Sequence, residues 1–595
     1  MTISRIILQA ALLSCLAGCA LIGTGQPSSA RVDVDSYLVL ASVAEERGEG
    51  QEATAHYLSA ARLSDDPRFA EAATELAHEY GLIEEGFEAA RLWRERAPDN
   101  PRVSQFLGAF HMRAGDREAA VAEFSQILDQ TNNTGPALAF LMEFLSTEPN
   151  MQMTTAVVSD LVAAYPGTPE GHFGLARLAL RSGNYVIALE NAERAVEIEP
   201  EWIEAQLLYA RMLVIAGRVD EGVDLAADVA EERPELEVRL QYAELLLSAG
   251  RHEMARELLD DILDENPGLP EAVRALAFLT LTLEDLEASR GHFNELRGQS
   301  QYREEAFFYL GRIDEAESQP LQAFRSYSRV TSGSNAVEAQ LRAANLLFTE
   351  LNDQPGALQH LREFGIANPD YTTEMLVAES GLLLQLDRAD EAMQRFDDAI
   401  AANPDDAVLR DAHAQLYISI AQGEIEREEL DAAEDTLQSG LNLYRDNRGL
   451  RYAIALLYQE QGRDRRSASA LEELVRDIPQ DASLLNALGY LLTDRMDRHA
   501  QAVGYLEEAL ALEPENPAII DSMGWVLFNL GDYDAALEHL ERAFELYPDP
   551  EVAAHIIDTQ LALGNREVAL EMLREQLEQH PDSPHLQELD QRLMP

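Results

Sequence analysis

Lysine is missing from this chain altogether, and cysteine nearly so. The 595 residues include two cysteines, and all 46 basic residues are arginine. Without lysine there is no Schiff-base chemistry and no phosphate-binding loop ending in Gly-Lys. Both cysteines, Cys15 and Cys19, lie in the opening stretch "LLSCLAGCALIG", residues 12–23. Beyond it no thiol remains for a disulfide, a nucleophile or a thiolate metal site. No Gly-x-Ser-x-Gly elbow and no Gly-x-Gly-x-x-Gly run occurs, and the thirteen histidines form no His-Glu-x-x-His pair. The closest two, His580 and His585, lie five apart. Positive charge is scarce as well: 106 acidic residues leave a net charge of −60. Such a field repels nucleic acid and anionic lipid, and it reads as adaptation to a salty medium. Acidic pairs such as Asp260-Asp261, Asp397-Asp398 and Asp405-Asp406 recur too often to single out a dyad and read as solvated faces. These absences point away from an enzyme, a metal and a cofactor.

What is present begins with a short export signal. Arg5 is a minimal basic region, and Ile6 to Leu13 form an apolar run too short to span a bilayer. Leu16-Ala17-Gly18-Cys19 then resembles the lipobox of bacterial lipoproteins. That resemblance implies a signal peptide over 1–18 and a lipidated Cys19 as first mature residue. Ala20, rather than an aspartate, implies sorting to the outer membrane. More than one long acyl chain is needed for stable anchoring, and a triacylated cysteine meets that condition. Residues 19–34, with Gly23, Gly25, Pro27, Ser28 and Ser29, read as a flexible tether. Its reach is about 20 Å as a coil and about 50 Å pulled straight.

One period organises the rest. Residues 517–548 read "PAIIDSMGWVLFNLGDYDAALEHLERAFELYP". Ile520, Met523, Gly524 and Leu527, with Ala536, Leu540 and Pro548, fit the tetratricopeptide pattern. The frame recurs at Leu107-Gly108 with Ala120 and Phe124, at Leu310-Gly311 with Ala323 and Tyr327, and at Leu488-Gly489 with Ala502 and Leu506. Prolines keep the same time: Pro200, Pro234 and Pro267 are 34 and 33 residues apart, and Pro514, Pro548 and Pro581 repeat those intervals. Each unit should be two amphipathic helices. Gly or Ala lets their backbones approach, Phe124 or Tyr327 fills the space between units, and the proline ends the second helix. One pair cannot bury both faces, so units must stack.

The expected fold is therefore all-α: a right-handed tetratricopeptide-repeat solenoid of about sixteen units. An N-terminal array covers 35–407 and a C-terminal array 449–581. Between them lies an irregular unit, 408–448, lengthened by "GEIEREELD" into a joint, and 582–595 form a capping helix. Residues 131–168 keep the repeat length while losing most markers.

The first helix of each unit lines the concave surface, and there the frame places Arg177, Arg181, Arg211, Arg312 and Arg342. Arginine suits bidentate carboxylate binding, whether from a partner or from glutamates of neighbouring units. A second basic patch, Arg445, Arg448, Arg451, Arg463, Arg465 and Arg466, either docks an acidic partner or compensates the preceding "EIEREELDAAED" run. Tyr490, Trp525 and Phe528 fall off the buried marker positions, with Asn486 and Asp521 one turn before the first two rings. They form either an aromatic stripe that grips a polypeptide or rings packed between first helices.

The stretches "LNALGYLLTDRMDR" and "NPAIIDSMGWVLFNLGDYDAALEHLERAFELYPDPEVAAHI" resemble the end of large tetratricopeptide outer-membrane lipoproteins of proteobacteria. One kind of these is the lipoprotein partner of the periplasmic carboxyl-terminal processing protease. The resemblance implies a non-enzymatic adaptor in the periplasm, touching the membrane through its lipid anchor only and binding no nucleic acid. It would bind and activate the protease and present substrates such as peptidoglycan hydrolases. The alternative is a structural scaffold for exopolysaccharide export or pilus assembly.

Overall fold

The computed structural model describes residues 33–593, so the signal segment, Cys19 and all but the end of the tether lie outside the described residues. The described chain holds 33 α-helices and no strand, and its fold is an all-α tetratricopeptide solenoid. Thirty-two helices fall into sixteen successive helix-turn-helix pairs, numbered here in chain order. Two compact units, divided between Gln299 and Ser300, contain eight pairs each. The last helix, Pro584–Leu593, buries Leu586 and Leu589 against Ala554, Ile557 and Leu573 of pair sixteen.

Local chemistry sets the helix limits. Asp or Asn often caps the start: Asn516 Oδ1 accepts from the Ala518 amide at 3.1 Å, and Pro517 occupies the first turn, where a missing N–H costs nothing. The timing prolines Pro200, Pro234, Pro267, Pro514, Pro548 and Pro581, and with them Pro369 and Pro404, which lie 35 residues apart, each stand two residues beyond the end of a second helix. In every pair except the fourth, the turn between the helices holds one residue with positive φ. Glycine supplies nine of these, Gly531 at 86° among them; Glu284, Ser318, Asn352, Asp387, Glu428 and Asp497 supply the others.

The small residues act as expected. A Cβ on Gly108 would sit 2.5 Å from the Phe124 ring, one on Gly311 2.6 Å from Tyr327, and one on Gly524 2.6 Å from Leu540. Phe124 and Tyr327 thus press first on the glycine of their own pair; Phe124 also joins a core with Leu138 and Leu141 of the next. Pair four, Thr134–Leu145 and Met151–Ala164, lacks the markers but keeps the helices. Met142 stands where its neighbours have Gly or Ala, and Gly174 of pair five yields the room: a Cβ there would meet Met142 at 2.6 Å. The "GEIEREELD" segment lengthens the first helix of pair twelve, Ala407–Glu426, to 20 residues where most have 13 or 14. That pair lies inside the second compact unit. No helix among the described residues is long and apolar enough to cross a membrane.

Candidate protein-binding surface

In most pairs one place on the first helix falls just past a small residue, on the side away from the second helix. Arg177, Arg211, Arg312, Tyr490 and Trp525 occupy this place on their first helices, and Asp558, which follows Ile557, holds the same register in pair sixteen. In pairs fourteen to sixteen the first helices are Ala482–Asp494, Pro517–Leu530 and Pro550–Ala562. The Tyr490 hydroxyl on the first of them donates to Glu551 Oε1 on the third, at 2.7 Å. A contact that skips the middle helix requires this face to curve inward, so it is concave here.

Between these two residues lies a connected cluster. Asp521 Oδ1 is 2.9 Å from His555 Nδ1, and both side chains are buried. Burial works against a charged His555 ring, but the hydrogen bond to Asp521 and the charges of Asp521, Glu551 and Asp558 outweigh it and raise its pKa. Burial also raises the Tyr490 phenol, and Glu551 pushes it further, so it remains a donor. Trp525 lies parallel to His555 with ring centres 4.1 Å apart, and parallel to Phe528 at 4.9 Å. Tyr490, Trp525 and Phe528 are half-buried. Trp525 therefore belongs partly to each expected role: neighbouring helices hold it, and part of it faces solvent. Trp525 Nε1 and Asn486 Oδ1 are buried and have no hydrogen-bond partner among the described residues.

Sequence reasoning missed Glu551, His555 and Asp558. Carrying the frame one pair further would have placed Asp558 at the position of Trp525. His555 and Glu551 sit off that position and left no periodic signal. Asp558 in turn pairs with Arg592 of the final helix.

The arginines divide. Arg342 is half-buried and bonded to Glu338 at 2.8 Å and Glu315 at 3.2 Å, as pairing with neighbouring glutamates would have it. Arg177, Arg181, Arg211 and Arg312 are exposed, with no carboxylate at ion-pair distance among the described residues. The Arg177 guanidinium lies 5.8 Å over the Phe173 ring, and Arg181 donates to the Ser146 carbonyl at 3.4 Å. In the second patch Arg448 pairs with Asp481, Arg451 with Asp477 at 2.7 Å, and Arg463 with Glu434 at 2.6 Å. Arg466 is 4.0 Å from Glu434, which belongs to the acidic run before it. Arg445 is exposed, and Arg465 lines a cleft with Arg495, Arg498 and Glu472.

Two buried ion clusters were not legible in the sequence. Glu148 receives Arg113 at 2.8 and 3.0 Å and lies 2.7 Å from His78 Nε2, which joins pairs two, three and four. Glu379 is held by Arg362 and Arg395 from the second helices on either side of it. No group of three or more His, Cys, Asp or Glu among the described residues is arranged to hold a metal ion.

A stack of helical pairs with a variable inner face defines a protein–protein interaction scaffold, and comparison with known proteins agrees. Residues 213–279, 495–556 and 527–593 match one tetratricopeptide-repeat family model, and 173–237 and 452–518 match another. The chain is similar to the TPR repeat-containing protein PA4667 of Pseudomonas aeruginosa: 29% identical over 526 residues, covering 87% of this chain and 81% of that one. Among solved structures it is similar to the Cut9 and Hcn1 hetero-tetramer, at 14% identity and a TM-score of 0.32 over 99% of each chain. A thermophilic TPR protein of Thermus thermophilus is 21% identical with a TM-score of 0.27, over 29% of this chain and 95% of that one.

Proposed function

We propose that this protein is a periplasmic adaptor, held at the outer membrane through lipidated Cys19. It binds a carboxyl-terminal processing protease and presents cell-wall hydrolases to it. The observation that carries this reading is the half-buried Trp525 ring, stacked on His555 and Phe528 on a concave face. It lies in the stretch whose wording resembles the adaptor lipoproteins. A rigid aromatic anchor loses little freedom on binding and suits capture of an extended or helical segment.

Crosslinked capture from envelopes tests this, with Trp525→Ala as comparison. The wild type should recover a soluble protease and hydrolases, and W525A should lose them. Because the ring is half-buried, the substitution should cost about 1–2 kcal/mol of stability, below the ~3–5 of a full core aromatic. Recovery of an outer-membrane channel in place of a protease would favour a structural scaffold and sink the adaptor reading. Anchoring is tested apart: a Cys19→Ser variant that still fractionates with the outer membrane at its mature size would refute lipidation.

A further inference from the structure

The N-terminal unit carries a second surface whose chemistry is of the opposite kind. Arg177 and Arg211 occupy the same place on two consecutive first helices, Pro169–Arg181 and Ile203–Ile215, and Arg181 follows Arg177 one turn on. All three are exposed and lack a carboxylate partner among the described residues, in a chain where acids outnumber bases 106 to 46. Several arginines of the same unit are paired: Arg194 with Glu197, Arg218 with Glu221, Arg239 with Glu265, Arg117 with Asp160. Unpaired guanidinium groups amid so many acids mark a place where the fold withholds carboxylates.

We propose that this face docks a short extended acidic segment of a protein partner, with carboxylates three residues apart. Both arginine-bearing helices pack against Tyr185–Ile198 between them, so their outer faces stand roughly one helix spacing, about 8–10 Å, apart. A chain extended in the polyproline-II form advances about 3.1 Å per residue and repeats its side-chain direction every third residue, so side chains at i and i+3 share a face and match that separation. Each guanidinium can hold a carboxylate through two parallel hydrogen bonds. Arg177 is already braced over Phe173, whose ring centre is 4.5 Å from that of Trp202. Bringing an anion between Arg177 and Arg181 also relieves their repulsion at i,i+4.

The surroundings limit the ligand. Glu143 and Glu244 stand at the equivalent place on the helices before and after, both exposed, and Glu170 and Glu204 lie in the first turns of the two arginine-bearing helices. The basic stretch is thus two helices wide, and the acidic part of the ligand must be short, with neutral or basic flanks. A long polyanion would meet Glu143 and Glu244 as well as the −60 charge of the whole chain. At physiological salt the Debye length is about 8 Å, so the distant acids are screened while contact pairs keep their attraction.

The test is fluorescence anisotropy on the soluble full-length mature chain, using three labelled peptides in a neutral background. One has two glutamates at i and i+3, the second has glutamines there, and the third has the glutamates adjacent. The first should bind at least about tenfold tighter than the other two, a factor of the size charge-assisted bonds supply. Arg177→Gln and Arg211→Gln should each remove most of that difference, while Arg218→Gln leaves it. Arg211→Glu should bind a peptide with lysine at the matching position better than wild type does. Tryptophan fluorescence against urea confirms that the variants are folded. Equal binding of the glutamate and glutamine peptides would overturn the proposal. So would indifference to both arginine substitutions, or equal binding of an oligonucleotide, which would make the surface a general anion site. None of these outcomes depends on the protease reading, because neither the ligand nor the residues are shared with it.

Discussion

Tyr490 and Glu551 are 61 residues apart, with a whole repeat between them, and their side chains meet at 2.7 Å. The bond closes the curve of the last three first helices and fixes the walls on either side of Trp525. A bond to a charged acceptor contributes about 1.5–3 kcal/mol when buried. Tyr490 is only half-buried, so about 1 kcal/mol is expected. Tyr490→Phe and Glu551→Gln should each cost that much in urea unfolding, and the double variant should cost little more than either alone. Fully additive losses would mean the two side chains do not act as a pair.

Glu148 makes a stronger demand on its surroundings. Its side chain is 1% exposed and depends on Arg113 and His78 for compensation. Arg113→Met strands a buried carboxylate and should cost about 3–5 kcal/mol, whereas Glu148→Gln, which removes the charge itself, should cost less. Burial pushes the Glu148 pKa up, but the bonds from His78 and Arg113 outweigh it and hold the value below the ordinary 4.5. The stability it contributes is therefore present above pH 4.5 and lost as pH falls through its lower folded value. Buried Trp93, in the core that includes Phe106 and Phe110, offers a fluorescence probe of this loss. An unchanged acid midpoint in Glu148→Gln would exclude the linkage.

These two relationships show where reading from sequence stops. Prolines, small residues and buried markers recur every 33 to 35 residues because each acts within one pair or between neighbours. That is why about sixteen pairs are countable in the sequence alone. Met142 hid pair four, since the space it needs is given back by Gly174 in the following pair. Glu148 reaches 35 and 70 residues back, and no period marks a contact made once. The aromatic stripe was legible because Tyr490 and Trp525 both follow a glycine. His555, which stacks on Trp525, occupies no repeated position.

His555 makes the C-terminal pairs sensitive to pH in the opposite sense from Glu148. Its pKa is raised above 6.5 through Asp521, with Glu551 and Asp558 adding to the effect. A raised histidine stabilises fully below its unfolded value, and that contribution fades as pH rises through the folded one. The difference in melting temperature between wild type and His555→Gln should thus be largest below pH 6.5 and shrink as pH rises through the raised folded value. A difference independent of pH would show that the ring acts by packing alone.

The net charge of −60 sets a further expectation. Debye lengths grow to about 30 Å at 0.01 M salt, where self-repulsion extends over several pairs. Melting temperature should rise as salt is added, and a flat or falling curve would remove the case for a salt-adapted surface.

The turns allow the repeat itself to be tested. Gly531 ends the first helix of pair fifteen at φ 86°, and a Cβ placed there would meet nothing within 4 Å. Any cost of Gly531→Ala is therefore conformational, about 1–2 kcal/mol for a left-handed L-residue, less the unfolded-state entropy that alanine removes. A net loss of about 1 kcal/mol is expected. Glu428 holds the same kind of turn in pair twelve at φ 61°, inside the acidic insertion. Glu428→Gly should recover about 0.5–1 kcal/mol by the reverse argument. Removing a negative charge from that run would also stabilise, so Glu428→Gln serves as the control. If glutamine gains as much as glycine, charge explains the effect; if glycine gains more in urea unfolding, the left-handed turn does.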